Sequence, residues 1–368
     1  MSTFNELIDF TRSTTGTYLG SDGLLKTAAV DEPRLEYDAQ GNSLGLLIEE
    51  ARTNLLLRSQ EFDDDYWSKS ASVIANQATA PDGTTTADEI TFPVQNSNVR
   101  SPDLITTAGV TATVSVWLKN VDGNTTLRLR GSTSGGTYLQ NITITNEWAR
   151  YTATFTHDGT NDIKFALQDG NASNLGSVLI WGAQVEEGAF PTSYIPTSGS
   201  TVTRAVDSAV ATLSDFYYRQ KNGSMVVEFT SKYDESAALF KRVCEIGNTN
   251  TSANRIVIYV KTDETRAYSQ VWDNNVFQAG AILTSSLPNG TGVYSKAALV
   301  WETNNAHAAF DGDLVGSADT SVSLTQTRDT LGIMRSTTDT ANTLTGHIKS
   351  IQYYPLRVAD AKLETLTS

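Results

Sequence analysis

Strict apolar–polar alternation, with threonine at many of the polar positions, constrains this chain more than any other feature. Tyr151, Ala153 and Phe155 alternate with Thr152, Thr154 and Thr156. Val114, Val116 and Leu118 alternate with Thr113, Ser115 and Trp117; Leu127 and Leu129 with Arg128 and Arg130; Ile142 and Ile144 with Thr143 and Thr145. Ile163, Phe165 and Leu167 continue the series. A period of two puts one face of each segment on a core and the other in water. Val121-Asp122-Gly123-Asn124, His157-Asp158-Gly159-Thr160 and Gln168-Asp169-Gly170-Asn171 separate the segments with turn chemistry. Several such strands at short spacing predict an antiparallel β-sandwich. The stretch SVLIWGAQVE at 177–186 is apolar on both faces and predicts a central strand.

A second strand-rich block follows Pro191, Pro196 and the Thr-Ser-Gly-Ser run at 197–200. Met225, Val227 and Phe229 alternate there, as do Ile256, Ile258 and Val260, and Phe310-Asp311-Gly312-Asp313 predicts a tight hairpin. Tyr353 and Tyr354 are neighbours, so one is expected in the core and the other out. Only the tail has helical spacing, with Val358, Leu363 and Leu366 able to share a face. The first sixty residues differ: turn signals at Ser21-Asp22-Gly23, Glu32-Pro33 and Gln40-Gly41-Asn42 separate short apolar pieces with too little core to fold alone. The expected fold is all-β: two antiparallel β-sandwiches of jelly-roll type, preceded by an extended β-rich N-terminal arm and closed by a short C-terminal helix. The expected boundaries are an arm over 1–58, a jelly roll over 59–199 and a second sandwich over 200–368.

Composition narrows the partners. Charged residues are 18% of the 368, below the ~25% of an average soluble protein. Lys and Arg number 27 against 41 Asp and Glu, a net charge of −14. A diffuse negative surface repels phosphate backbones and anionic lipid, which argues against nucleic acid and polybasic membrane docking. It suits neutral polysaccharide, cations and high copy number. Cys244 is the only cysteine, which excludes an intramolecular disulfide and reads as a small buried hydrophobe. The N-terminus has no basic and apolar leader pattern, and no run of ~18 apolar residues occurs, so no membrane insertion is expected.

Little in the sequence reads as catalytic. Gly41-Asn42-Ser43-Leu44-Gly45 matches G-x-S-x-G, but a nucleophile elbow needs strand–helix alternation around it, so this is expected to be a polar hairpin turn. The carboxylate doublets Glu49-Glu50, Asp88-Glu89 and Glu186-Glu187 and the run Asp63 to Asp65 read as solvated surface, since neighbours on a strand point to opposite faces. The three histidines lie far apart. Aromatics say more. Trp117 and Trp148 fall on the polar parity of their strands, where a tryptophan either stacks on a sugar ring or is covered by the arm, a loop or a partner subunit. Trp67, and Tyr268 with Trp272 on one strand parity, are further candidates for sugar contact.

Several motifs resemble known families. Phe10-Thr11-Arg12, Gly16-Thr17-Tyr18, Asp22-Gly23, Ala28-Ala29, Pro33-Arg34 and the run GLLIEEARTNL from Gly45 to Leu55 resemble the N-terminal segment common in tailed-phage and prophage structural proteins. These are often called tail, tail-fibre or head-fibre proteins. The run Asn76 to Thr84 with Ala87-Asp88, and Trp181 to Glu186 with Thr192 to Thr197, resemble the carbohydrate-binding-like jelly roll of the same proteins. Phe310-Asp311-Gly312, Gly346-His347-Ile348 and the closing Tyr354-Pro355-Leu356-Arg357-Val358 are similar to concanavalin-A-like (laminin-G-like) sandwiches, without the metal-binding Asp and Asn cluster of legume lectins.

The resemblance implies a non-enzymatic virion component, made in a host cytoplasm, whose partners are other virion proteins and sister subunits, a trimer being favoured. Its lectin-like sandwiches would bind host-surface polysaccharide. A purely architectural fibre or decoration protein is the alternative, and a polysaccharide depolymerase ranks below both. No cofactor is required. The related jelly rolls carry a structural Ca²⁺ near their termini, and Glu61, Asp88 and Glu186 match those regions.

Overall fold

The alternating segments pair antiparallel into sheets in a computed structural model that describes residues 7–122, 126–132, 138–170 and 176–368. The turn signals at 121–124 and 168–171 run into residues outside that set. The chain forms two compact units. One comprises Met1–Thr15, Ala28–Glu50 and Ala205–Ser368; the other comprises Gly16–Thr27 and Ala51–Arg204.

The second of these units is a sandwich of two five-stranded sheets. One sheet runs in the order Ala149–Thr156, Thr111–Asp122, Ser177–Glu187, Ala87–Thr91, Ser72–Ala78. The other runs Leu139–Thr143, Thr126–Arg130, Ala166–Asp169, Asn98–Arg100, Ser68–Lys69. Ser177–Glu187 is central, as its two apolar faces require. Val114, Val116, Leu118, Leu127, Leu129, Ile163, Phe165, Leu167, Val178 and Ile180 are all fully buried between the sheets. The apolar parities read from the sequence are therefore the core parities.

The other unit is a sandwich of two seven-stranded sheets. The front sheet runs Asp9–Thr11, Ser208–Thr212, Thr330–Ile333, Phe240–Asn248, Thr251–Lys261, Arg266–Asp273, Val276–Thr284. The back sheet runs Asp313–Asp319, Asn305–Phe310, Gly290–Glu302, Gly223–Ser231, Gly346–Tyr354, Ser43–Ile48, Arg34–Tyr37. Met225, Val227, Phe229, Ile256, Ile258, Val260 and Cys244 fill the space between them. Burial holds the Cys244 thiol well above its ordinary pKa, the behaviour of a packing residue. The one α-helix among the described residues, α1 (Asp360–Thr367), lays Leu363 and Leu366, with Val358 just before it, against Val226, Ala298 and Val300 on the outer face of the back sheet. Tyr353 and Tyr354 differ from expectation. Both are packed, Tyr353 against the inter-sheet core and Tyr354 under the helix, because the helix gives the strand a second apolar face.

The first 58 residues do not stand apart as an arm. Asp9–Thr11 is the edge strand of the front sheet, and Arg34–Tyr37 and Ser43–Ile48 extend the back sheet beside Gly346–Tyr354. Gly16–Leu19 and Leu25–Ala28 form a hairpin, which falls for all but its last residue in the other unit. Their lack of a private core is met by strand pairing with distant parts of the same chain. The G-x-S-x-G match is a turn as expected, closed by Asp38 N to Asn42 O at 2.9 Å, with Ser43 opening a strand.

A buried charge cluster fixes these N-terminal strands. Asp207, fully buried, accepts from Arg12 Nη1 at 3.1 Å, from Arg34 Nη2, and from Glu49 N at 2.8 Å. Arg34 Nη1 donates to Glu49 Oε2 at 2.6 Å. Burial opposes the Arg34 charge, but Glu49 and Asp207 outweigh it, and its pKa is raised. Removing one partner of such a cluster strands a charge in the interior, at a cost of about 3–5 kcal/mol. Asp207→Ala is therefore expected to lower unfolding stability by about that amount. Urea unfolding of the full chain checks it, and a loss near zero contradicts the assignment.

Candidate functional site

The structure separates the candidate aromatics into three environments. Trp117 and Trp148 do lie on the polar face of their sheet, where both are partly buried against other parts of the chain. They join Trp181, Tyr194, Ala80 and Ala87 in a small cluster that includes Leu25 of the N-terminal hairpin. Thr17 Oγ1 donates to Tyr194 O at 2.6 Å, and Leu25 N to Pro81 O at 2.9 Å, holding the hairpin in place. Gly182 permits the close packing: a Cβ there would sit 3.1 Å from Trp117 Cδ1 and 3.4 Å from Tyr194. Trp148 Nε1 donates to Thr79 O at 3.0 Å. These rings pack partly against protein and keep part of their surface exposed.

Trp67 belongs to the inter-sheet core. It is 2% exposed, stacked on Phe62 at 4.9 Å and edge-on to Phe165 at 5.5 Å. It offers no face to a sugar. The sequence could not show this, because Trp67 lies outside any alternating run.

The three carboxylates matched to calcium do not converge. Asp88 accepts from Phe62 N at 2.8 Å and Asn76 N at 2.9 Å. Burial holds its pKa above the usual carboxylate range, against those amides, which lower it. Glu186, fully buried, accepts from Thr192 N, Thr192 Oγ1 and Gln184 Nε2 at 2.6–2.9 Å. Glu61 pairs with Arg58 at 2.9 Å. Among the described residues no group of three or more His, Cys, Asp or Glu is placed to hold a metal ion. Oxygens taken up by amide, hydroxyl and guanidinium donors do not fit a shared cation.

Tyr268 and Trp272 have a different setting, the outer face of the front sheet. Ala267, Val271 and Ala279 point to the core, so Tyr268, Gln270 and Trp272 point out. Register then assembles a face from three more strands. Tyr268 stands opposite Tyr259 and Ile282, and Tyr259 opposite Arg242. Trp272 stands opposite Arg255 and Phe277. Tyr259 and Tyr268 stack with ring centroids 5.3 Å apart and planes at 10°. Phe277 meets Trp272 edge-on at 5.5 Å, while the Arg255 guanidinium lies over Trp272 at 4.7 Å. Phe240 tilts against Tyr259 at 5.8 Å. Phe277 also folds over Gly280, where a Cβ would come within 2.9 Å of its ring.

Polar groups frame these rings. Trp272 Nε1 donates to Gln270 Oε1 at 3.0 Å. Tyr268 Oη donates to Glu264, and burial with that carboxylate raises its pKa, so it stays a donor at neutral pH. Arg242 Nε donates to Glu245 Oε2 at 2.8 Å, and Glu245 is itself buried and held by Thr337 N and Oγ1 at 3.0 and 2.9 Å. Phe240, Phe277 and Ile282 are 47%, 50% and 50% exposed, so the face is open to a ligand. Fixed aromatic rings beside amide, phenol and guanidinium groups can take the apolar face of a pyranose and bond its hydroxyls. Sequence parity had marked Tyr268 and Trp272 only. The same reading of Arg255, Val257, Tyr259 and Lys261, opposite to Ile256 and Ile258, would have added Tyr259. Phe277 was not legible, because a bulge between Val271 and Trp272 sets its register.

No protein-family model matches the sequence, and no curated protein matches it. Solved structures similar to it include CBM40 of the Ruminococcus gnavus IT-sialidase bound to α2,6-sialyllactose, at TM-score 0.36 and 12% identity, covering 42% of this chain and 87% of that one. Another is the CBM22-1 xylan-binding domain of Paenibacillus barcinonensis Xyn10C, at TM-score 0.27 and 15% identity, covering 39% and 99%. Domains LG4-5 of the mouse laminin α1 chain give TM-score 0.27 and 11% identity, covering 78% and 92%. At such scores no residue role passes to this chain.

The different environments of the tryptophans predict different costs. Trp67→Ala empties a closed core and is expected to lose about 3–5 kcal/mol of unfolding stability. Trp272→Ala, on the open face, is expected to lose about 1 kcal/mol or less beyond its ring contacts. Equal losses in urea titrations would contradict the placement of one of them.

Proposed function

We propose that this protein binds glycan through the outer aromatic face of the front sheet. The observation that carries the reading is the row of Tyr268, Trp272 and Phe277, partly exposed beside polar side chains and held by cross-strand ring contacts, Tyr268 on the buried Tyr259 and Trp272 on Phe277. Rigid rings lose little conformational freedom when a sugar settles on them, which favours affinity from few contacts. Trp117, Trp148 and Trp67 have no part in this proposal, and neither has calcium.

The setting proposed is display on a tailed-phage-like particle, as the N-terminal motifs imply by resemblance. A single sugar site of this kind is weak, and many copies on one particle multiply the avidity without new contacts. No residue is assigned a catalytic role. Release of new reducing ends or unsaturated uronates from host capsule would overturn that part of the proposal.

A glycan array probed with the full chain tests the main reading. Binding is expected, and Tyr268→Ala or Trp272→Ala is expected to weaken it by at least about tenfold, or ~1.4 kcal/mol. Absence of binding to any glycan, or undiminished binding by the double variant, rejects the face as the site.

A further inference from the structure

The front sheet ends at Val276–Thr284, which pairs with Arg266–Asp273 along one edge only. Among the described residues, no other segment bonds its backbone. Ser323 N reaches the strand at 3.0 Å, but through the side chain of Gln278. The free edge thus presents a row of backbone donors and acceptors along a nine-residue strand.

The other sheet ends of this sandwich are blunted. Asp9–Thr11 is three residues long, and Arg34–Tyr37 is four, with Arg34 and Glu36 in it. Asp313–Asp319 has an aspartate at each end, and its register slips between Ala306 and Ala308 of its partner. Short length, charge and irregularity are the usual means by which an edge avoids pairing. Val276–Thr284 is neither short nor charged, although its register against Arg266–Asp273 also shifts twice, at Ala267/Tyr268 and at Val271/Trp272. Its sequence, VFQAGAILT, has no charge and no proline, in a chain of net charge −14. Val276, Phe277 and Ile282 are 57%, 50% and 50% exposed.

We propose that Val276–Thr284 is the interface for a second copy of this chain, which pairs with it antiparallel about a two-fold axis. Two identical strands in antiparallel array set donor against acceptor along both, and the symmetry closes at two. A strand without charge meets no like-charge repulsion from its own copy. The pairing makes the two front sheets one continuous sheet. It sets the aromatic faces of both copies side by side, with Phe277 of each beside the seam. A dimer replaces the trimer that the particle resemblance implies. The pairing stands whatever the aromatic face binds.

Sedimentation equilibrium of the full chain across low to high micromolar concentration tests it. The expected mass is about twice the 39.8 kDa of one chain. Ile282→Lys and Val276→Lys each place a charge on the edge and are expected to return the mass to that of one chain. Amide exchange supplies a readout that needs no variant: amides of 276–284 are expected to gain protection as concentration rises. A single-chain mass at every concentration, an oligomer that survives both lysines, a trimer, or exchange in 276–284 independent of concentration overturns the proposal.

Discussion

The buried ion cluster around Asp207 is the interaction on which the larger sandwich depends. Arg12 alone bonds four separate places: Thr14 O at 2.8 Å, Ala29 O at 2.7 Å, Glu32 O at 3.1 Å and Asp207. Arg34 adds Glu49 and Asp207. Apolar burial favours the strands 9–11, 34–37 and 43–48 against any sheet edge, because it is non-directional. Fixed guanidinium and carboxylate geometry admits only one seating. Ion pairs taken out of water are poor net stabilisers, and their use here is to select register. That selection matters because a strand slipped by one residue turns its apolar face to water.

The dependence also explains what the sequence disclosed and what it did not. Strand parity is a local property. Thr152, Thr154 and Thr156 against Tyr151, Ala153 and Phe155 suffice to orient that strand, and Ser177–Glu187 is recognisably central from ten residues. Partner choice is non-local. Arg34 and Asp207 are 173 residues apart, and Glu49 and Asp207 are 158 apart. No pattern near Arg34 shows what it meets. The N-terminal segment reads as an arm short of its own core that must pack on something else, and its strands do so within the same chain: 9–11, 34–37 and 43–48 in the unit that includes Ala205–Ser368, and 16–27 in the unit that includes Ala51–Arg204.

The candidate site follows the same division. Parity placed Trp117 and Trp148 on a polar sheet face, and they are on it. Parity cannot say that they pack against a cluster of Ala80, Ala87, Trp181 and Tyr194. It placed Tyr268 and Trp272 together on another outer face, where they too are partly exposed, beside the more exposed Phe277 and Ile282. Trp67 shows the other limit: with no alternating run around it, its burial against Phe62 and Phe165 had no local signature.

The two faces of the larger sandwich show why one is available for binding. The outer face of the back sheet carries Val226, Ala298 and Val300, aliphatic groups with no polar function, and α1 closes over them with Leu363. The outer face of the front sheet carries Tyr259, Tyr268 and Trp272 with arginines and Gln270 between them. Such side chains remain acceptable to water, because each ring has a polar atom or a cation at its rim and its neighbours shield much of its apolar area. Tyr259 is 6% exposed, with Phe240, Tyr268 and the Arg242 guanidinium of its own sheet packed against its ring. An aliphatic face must be covered for the fold to be soluble. An aromatic and guanidinium face need not be, so it keeps surface that a sugar ring can desolvate at modest cost.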